Sequence, residues 1–544
     1  MRIVIIGAVA AGTSAAAKTR RNDDFAEIVI YEKDKDISYS GCGLPYYIGG
    51  DIEDINELTP RDVKFFKDKY DIEVKIQHEV ISVDPDKKVL IIKNLLTDEV
   101  FEDHYDKLVL ATGASPFIPK IEGIDKKHVF FLRNVENARY IKSFIEENKP
   151  TKAVIAGTGF IGFEVLESLV NYSIDVTIVE VADKITPNLD IDMASFLENT
   201  LVKKGVKILK STSINRIIDK EIILSDGSTL VSDLVIMATG VRPNVSLAKQ
   251  MGVKLGITGA IEVNNRMETN ISDVYAAGDC IETFNTITGK PVYRPLGTTA
   301  NKTGRIAGDA LSGGSLTYRG NLSTGIFKLF DLSIGSTGLS EKEAITEGYD
   351  VEVVHNIKPN KPSYMNGQEM VIKAIADRKS KRLLGVQIVG YEGVDKRIDV
   401  FATLLTYKAT VDELFHLDLS YAPPFSTTKD PVHYTGMILE NAISKGRPIL
   451  NSNKIEDFGD EIQIIDTRTE KDYQSKGHVE NAINIPHSKL RDRLDTLDKN
   501  KPVVTYCNKG TTGNATQNIL INRGFKLVFN LSGGHKFYSG SRKR

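Results

Sequence analysis

Three cysteines, Cys42, Cys280 and Cys507, are the only thiols in the chain, and they lie far apart with no CxxC pair or metal-ligand spacing among them. Neither a disulfide framework nor a metal site is expected, and a reducing compartment fits. Their surroundings differ. Cys42 follows a Ser-Gly turn in SYSGCGLPYYIGG, which predicts a position near the start of a short helix, an electropositive place that favours thiolate over thiol. Cys507 ends the apolar segment PVVTYC and opens the loop NKGTTG, and successive N–H groups of such a loop can converge on a thiolate or its persulfide. Cys280 directly follows Asp279 and reads as a small buried hydrophobe, the commoner role of a lone cysteine. A thiolate at Cys42 or Cys507 could attack a disulfide or persulfide sulfur.

Thiols that turn over need a source of electrons, and the elements that could hold one are legible. RIVIIGAVAAGTSAAAKTRR with EIVIYE, and KAVIAGTGFIGFEVLESLV with DVTIVE, share one pattern: a β-branched strand, a glycine turn, a helix, and a second strand ending in an acid. Each opens a Rossmann βαβ unit, in which glycines let the backbone approach a pyrophosphate at a helix N-terminus and the acid bonds a ribose. Glu32 lies 20 residues after Gly12, and Glu180 lies 18 after Gly162. The second turn, with Gly157, Gly159 and Gly162, has the full fingerprint; the first has Gly7 and Gly12 but Val9 at the middle position. Each unit is followed by a return strand and turn: KLVLATGASP, with Ala111, Thr112 and Gly113, and DLVIMATGVRPN, with Gly240. In TNISDVYAAGDC, Asp279 stands at a strand's carboxyl edge, where its carboxylate can bond a ribityl hydroxyl of a flavin; its bland alternative is a turn residue or helix cap.

At 544 residues the chain exceeds one core, and ~150 residues per domain predicts three or four. Lys plus Arg (70) and Asp plus Glu (72) nearly cancel, which excludes a basic field for nucleic acid or anionic membrane and points to small-molecule ligands. The apolar N-terminus reads as a strand ending at Gly7 rather than a leader. No apolar run reaches the ~20 residues needed to span a bilayer, so a soluble cytoplasmic protein is expected.

Together these features resemble the two-dinucleotide-domain flavoprotein disulfide reductases over roughly residues 1–445. The resemblance implies an α/β fold with two Rossmann-like dinucleotide-binding domains, FAD in 1–118 with 246–325 and NADH in 119–245, and an α+β dimerisation domain in 326–445 that makes a homodimer. A polar, turn-rich linker, 446–460, would lead to 461–544, where IQIIDTRTEKDYQSKGHVENAINIP, PVVTYCNKG and LSGGHKFY resemble a C-terminal α/β rhodanese-like domain. Gly7, Gly12, Glu32, Ala111–Gly113 and Asp279 would serve FAD; Gly157, Gly159, Gly162, Glu180 and Gly240 would serve NADH. Glu180 should repel a 2′-phosphate and favour NADH over NADPH.

The lone Cys42 excludes the CxxxxC branch. Among single-cysteine members, NADH oxidases and peroxidases typically carry a histidine in the first glycine turn, and GAVAAG has none. HNIKPNKPSYMNG and LDLSYAPPFSTTKDP are similar to the coenzyme A-disulfide reductases. That similarity implies that Tyr364 and Tyr421 reach Cys42 from a partner subunit, and that Lys429 holds coenzyme A with Ser14, Lys18, Arg21 and Ser38. The expected cycle passes electrons from NADH through the flavin to a disulfide between Cys42 and coenzyme A. In the rhodanese-like segment, Asp466, Arg468 and His478 read as structural. Thr512 replaces the arginine usual five residues after the cysteine, and Lys509 is expected to compensate in part. Persulfide relay through Cys507 is therefore expected over thiosulfate transfer. Two rivals stay open: an oxidase or peroxidase cycling a Cys42 sulfenic acid, and a sulfur-carrier or sensor module centred on Cys507.

Overall fold

Strands such as Arg2–Ile6 and Glu27–Tyr31 are apolar and buried along nearly their whole length, and chains of that kind are stable only inside parallel sheets covered on both faces. The computed structural model, which describes residues 1–542, shows two such sheets. In the first, the order is Glu73–Lys75, Glu27–Tyr31, Arg2–Ile6, Lys107–Leu110 and Val274–Ala276. In the second it is Lys207–Leu209, Asp175–Val179, Lys152–Ala156, Leu234–Met237 and Val129–Phe130. Pairing is parallel throughout. Each is accompanied by a three-stranded antiparallel meander, residues 78–104 and 214–231, so the repeat read in the glycine turns extends to whole domains. The helix Ala10–Asn22 lies against Gly297–Leu311, and Gly304 and Gly308 allow it: a Cβ at either would fall on the carbonyl oxygen of Ala11 or Ala15.

The chain forms two compact units, Met1–Val181 with Lys207–Asn321, and Ala182–Val206 with Leu322–Arg544. The second is built on a five-stranded antiparallel sheet, ordered Gly325–Leu329, Leu332–Gly338, Leu383–Gly390, Glu369–Asp377 and Val351–Pro359. It also holds a five-stranded parallel sheet, ordered Ile449–Leu450, Val528–Leu531, Val503–Tyr506, Gln463–Asp466 and Ile483–Asn484. One reading of the sequence changes here. Residues 446–460 are not a free linker, because Ile449–Leu450 pairs in parallel with Val528–Leu531 as an edge strand; two residues are too few to show a strand period. Residues 182–206 connect the strands Asp175–Val179 and Lys207–Leu209 of the second nucleotide sheet, as the sequence placed them, and their contacts group them with the second unit. There Lys373, fully buried, lies within 3.1 Å of Asp190, Asp192 and Glu341, and Phe196 stacks on Phe537. Among the described residues no helix is long and apolar enough to cross a membrane, and no cluster could hold a metal ion.

Candidate active site

A cleft of about 560 Å³ runs along the carboxyl ends of the first parallel sheet. Backbone geometry fixes its glycines. Gly7 has φ +109°, and a Cβ there would fall on the Ala111 carbonyl oxygen; one at Gly12 would fall on that of Gly7. Val9, at φ −97°, lies outside the left-handed region that favours glycine. Glu32, buried, accepts hydrogen bonds from the N–H groups of Ala8 (2.7 Å) and Asp34 (3.0 Å), so it ties the turn to the second strand. Burial raises its pKa, and the two N–H groups oppose the rise. Thr112 and Gly113 line the cleft and are fastened by Asn244, whose carbonyl accepts from the Thr112 hydroxyl and whose amide donates to the Thr112 carbonyl. Asp279 lies at the cleft wall with Arg133 at 2.9 Å. A glycine turn, a buried acid and a carboxylate on one continuous cleft fit the pyrophosphate, ribose and ribityl groups of FAD.

The second turn repeats the plan. Gly157 has φ +107°, and a Cβ on Gly162 would fall on its carbonyl oxygen, whereas a Cβ on Gly159 would meet only open space. The middle glycine is thus not needed by the fold and leaves room for a ligand. Glu180 accepts from the Thr158 N–H (2.9 Å) and hydroxyl (2.5 Å), as Glu32 does from its own turn. Gly240, at φ +92°, accepts from the Phe117 N–H through its carbonyl.

Cys42 lies in the single turn Gly41–Gly43, just before the helix Leu44–Gly49. The expected helix start is present. Although the thiol is exposed, surrounding protein desolvates it and raises its pKa; Glu164 and Asp279 raise it further, and Arg133 opposes them. Glu164, on the helix Phe160–Asn171, is itself pushed up to about 7 by burial and by Glu167. That residue escaped the sequence reading, although an acid on the inner half of an apolar helix was a signal. As pH rises through about 7, Glu164 ionises and adds negative charge beside the thiol. Glu164→Gln should therefore speed Cys42 alkylation at pH 8 by about two- to fivefold, measured by peptide mapping of iodoacetamide labelling. An unchanged or slower rate would refute that coupling. Cys280 is buried, its Sγ donating to the Leu110 (3.4 Å) and Ala277 (3.3 Å) carbonyls, as expected of a packing residue.

Ser14, Lys18 and Arg21 share one face of the helix Ala10–Asn22. Arg21 is exposed, and Ser14 donates to Asn301 (2.8 Å). Lys18 does not stand free for a phosphate, because its ammonium is 3.0 Å from Asp309 and only 14 % of the side chain is exposed. Ser38, at φ +48°, donates its N–H to Ala8 beside the first glycine turn.

In the second unit, Tyr364 (72 %) and Tyr421 (46 %) are exposed, with Phe425 and Lys429 beside Tyr421 in sequence. Both tyrosine-bearing segments are fastened by one residue the sequence reading missed. Arg397, 1 % exposed, donates from its guanidinium to the Asn360 carbonyl (3.1 Å), to Ser426 (3.1 Å) and to Asp430 (2.7 Å).

Cys507, buried, begins the loop between the strand Val503–Tyr506 and the helix Thr511–Asn522. The Cys507 and Asn508 carbonyls accept from the N–H groups of His535 and Lys536. Among the described residues, no hydrogen bond within the protein is made by the N–H groups of Asn508 to Gly513, leaving them free for an anion. Arg468 pairs with Asp466 (2.5 Å) under the strand, over the Tyr506 ring. His478 is exposed and meets Tyr473 edge-on. Lys509 does not supply the loop's missing cation, since Glu369 binds it together with Lys536.

Comparison with known proteins accords with this anatomy. Residues 1–299 match the model of the pyridine nucleotide-disulphide oxidoreductases, 325–431 the dimerisation domain of that family, and 452–540 the rhodanese-like domain. The chain is 38 % identical over 450 residues to a protein of Methanocaldococcus jannaschii described as an NADH oxidase, covering 82 % of this chain and 99 % of that one. It is also 38 % identical over 446 residues to a coenzyme A-dependent NAD(P)H sulfur oxidoreductase of Pyrococcus furiosus, covering 81 % and 99 %. A solved NAD-dependent persulfide reductase from A. fulgidus superposes with TM-score 0.92 and 37 % identity, over 99 % of this chain and all of that one.

Proposed function

Because the chain belongs to the pyridine nucleotide-disulphide oxidoreductase family, we propose that it is an FAD-dependent, NADH-using reductase of coenzyme A disulfide, coenzyme A persulfide or polysulfide. It works through a mixed disulfide between Cys42 and coenzyme A, and its rhodanese-like domain handles sulfane sulfur. The observation that carries this reading is one exposed thiol, Cys42, within the electrostatic reach of the cleft residues Asp279 and Arg133, while Cys280 is buried and bonded. A disulfide chemistry with one protein thiol needs a diffusible thiol as its second half.

FAD, when bound, carries the electron pair from the nicotinamide to the disulfide. The chain's own groups do the rest. Glu32 and Glu180 hold the two ribose ends, and Glu180 disfavours a 2′-phosphate. When the Cys42–coenzyme A bond is cleaved, coenzyme A leaves as a thiolate and Cys42 remains as one, ready to attack the next disulfide or persulfide sulfur. Tyr364 and Tyr421, supplied by the second subunit of a homodimer, donate hydrogen bonds to the departing thiolate. Arg21, Ser14, Ser38 and Lys429 hold the coenzyme. With Lys18 tied to Asp309, Arg21 bears most of the phosphate charge.

Intact-mass analysis of protein purified without reductant tests this proposal. The expected result is a coenzyme-sized adduct on Cys42 that dithiothreitol removes. Oxygen-only gains at Cys42 would overturn it in favour of an oxidase, the activity in the name of the M. jannaschii relative. Cys507→Ser should lower turnover of polysulfide and coenzyme A persulfide about tenfold or more while sparing coenzyme A disulfide; full activity on all three would remove the relay.

A further inference from the structure

The loop that begins at Cys507 carries Thr512 where rhodanese-like loops of this type usually place an arginine. Lys509 is bound by Glu369. A second lysine reaches the loop from outside the rhodanese-like domain. Lys358, on the antiparallel-sheet strand Val351–Pro359, donates from Nζ to the Thr511 hydroxyl (3.1 Å) and lies 4.1 Å from the centroid of the Tyr434 ring. It lines a cavity of about 130 Å³ with Tyr434, Lys509, Gly510, Thr511 and Asn514. Among the described residues it has no carboxylate partner.

We propose that Lys358 is the charge-compensating residue of the Cys507 site, lent by the dimerisation domain, and that it fits the site to anionic persulfide and polysulfide donors. The inference rests on the reading of Cys507 as a sulfane-sulfur carrier. Burial lowers the Lys358 pKa, Lys509 lowers it further, and Cys507 opposes both, so the ammonium stands in a place where an added anion is welcome. Lysine offers a compact point charge, suited to one terminal sulfur, whereas arginine's planar fork suits an oxyanion such as thiosulfate. In the transfer, the Cys507 thiolate attacks the outer sulfur of R–S–SH. The new S–S bond forms as the R–S bond to that sulfur breaks, and the electron pair leaves on RS⁻. The sulfane sulfur keeps its oxidation state and its proton, giving Cys507–S–SH.

The test uses the full-length holoenzyme carrying Lys358→Met, Lys358→Gln or Lys358→Arg. Iodoacetamide labelling of Cys507 is followed against pH by peptide mapping, and loading of Cys507 from inorganic polysulfide by the mass of one added sulfur. Met and Gln should move the labelling profile to higher pH, and should slow labelling and loading about tenfold at neutral pH; Arg should recover most of both. Gln keeps a donor for Thr511, so a loss shared by Met and Gln reports charge rather than packing. Parent-like profiles in Met and Gln would overturn the proposal. If Cys507→Ser leaves polysulfide turnover intact, the carrier reading fails, yet the labelling profile still decides whether Lys358 compensates the Cys507 charge.

Discussion

Cys42→Ser should lower turnover with coenzyme A disulfide, coenzyme A persulfide and polysulfide by at least ~10³-fold, on the order of 4 kcal/mol of transition-state stabilisation, while NADH still bleaches the bound flavin. The two readouts separate because the residues assigned to the dinucleotides, Glu32, Asp279 and Glu180, make their contacts without Cys42. A serine hydroxyl cannot form the mixed disulfide, and Cys280 cannot substitute, being buried with its Sγ against two carbonyls. Stopped-flow absorbance would follow flavin reduction, and release of free thiol would follow turnover. Disulfide turnover that survives in the serine variant would end the Cys42 mechanism.

Arg397→Met should be the most damaging substitution far from Cys42 in sequence. Arg397 and Asp430 are both almost fully buried. Removing the guanidinium leaves a buried carboxylate uncompensated, a loss of about 3–5 kcal/mol. It also releases Asn360 and Ser426, the anchors of the segments bearing Tyr364 and Tyr421. The thermal transition of the dimerisation domain should fall sharply, and disulfide turnover with it. A double variant, Arg397→Met with Asp430→Leu, should recover much of the stability but not the turnover. If the single variant melts like the parent, the ion pair contributes little. The pH dependence has a definite sign. Burial would raise the Asp430 pKa, but the Arg397 bonds outweigh it and hold the carboxyl below its ordinary value. The pair's contribution is therefore full above the ordinary carboxylate range and is lost as pH falls through the lower folded-state value.

What could be read from the sequence was what the backbone imposes locally. Gly7, Gly12, Gly157 and Gly162 are forced by carbonyl oxygens a few residues or one strand away, and Glu32 and Glu180 close on their own turns. Such short-range demands leave fixed spacings. The residues that escaped, Glu164, Arg397 and Lys358, take their meaning from partners distant in the chain: Cys42, Asp430 and the Cys507 loop. At Cys42 the helix start is local and legible, but the burial that raises its pKa, and the carboxylates that add to the rise, are not. The same cause explains Lys18 and Lys509, whose partners Asp309 and Glu369 lie far along the chain. Thr512 could be noticed from sequence alone; what takes its place could not.

The two-residue strand Ile449–Leu450 also sets where the rhodanese-like part can be cut away from the rest. Its backbone covers Val528–Leu531, with the Pro448 and Leu450 carbonyls accepting from Asn530 and Ser532. A fragment beginning at residue 461 would uncover that row of donors and acceptors and present a bare sheet edge to other copies, an invitation to self-association. A fragment beginning before Pro448 carries its own edge guard, and is the better boundary for producing the rhodanese-like part alone.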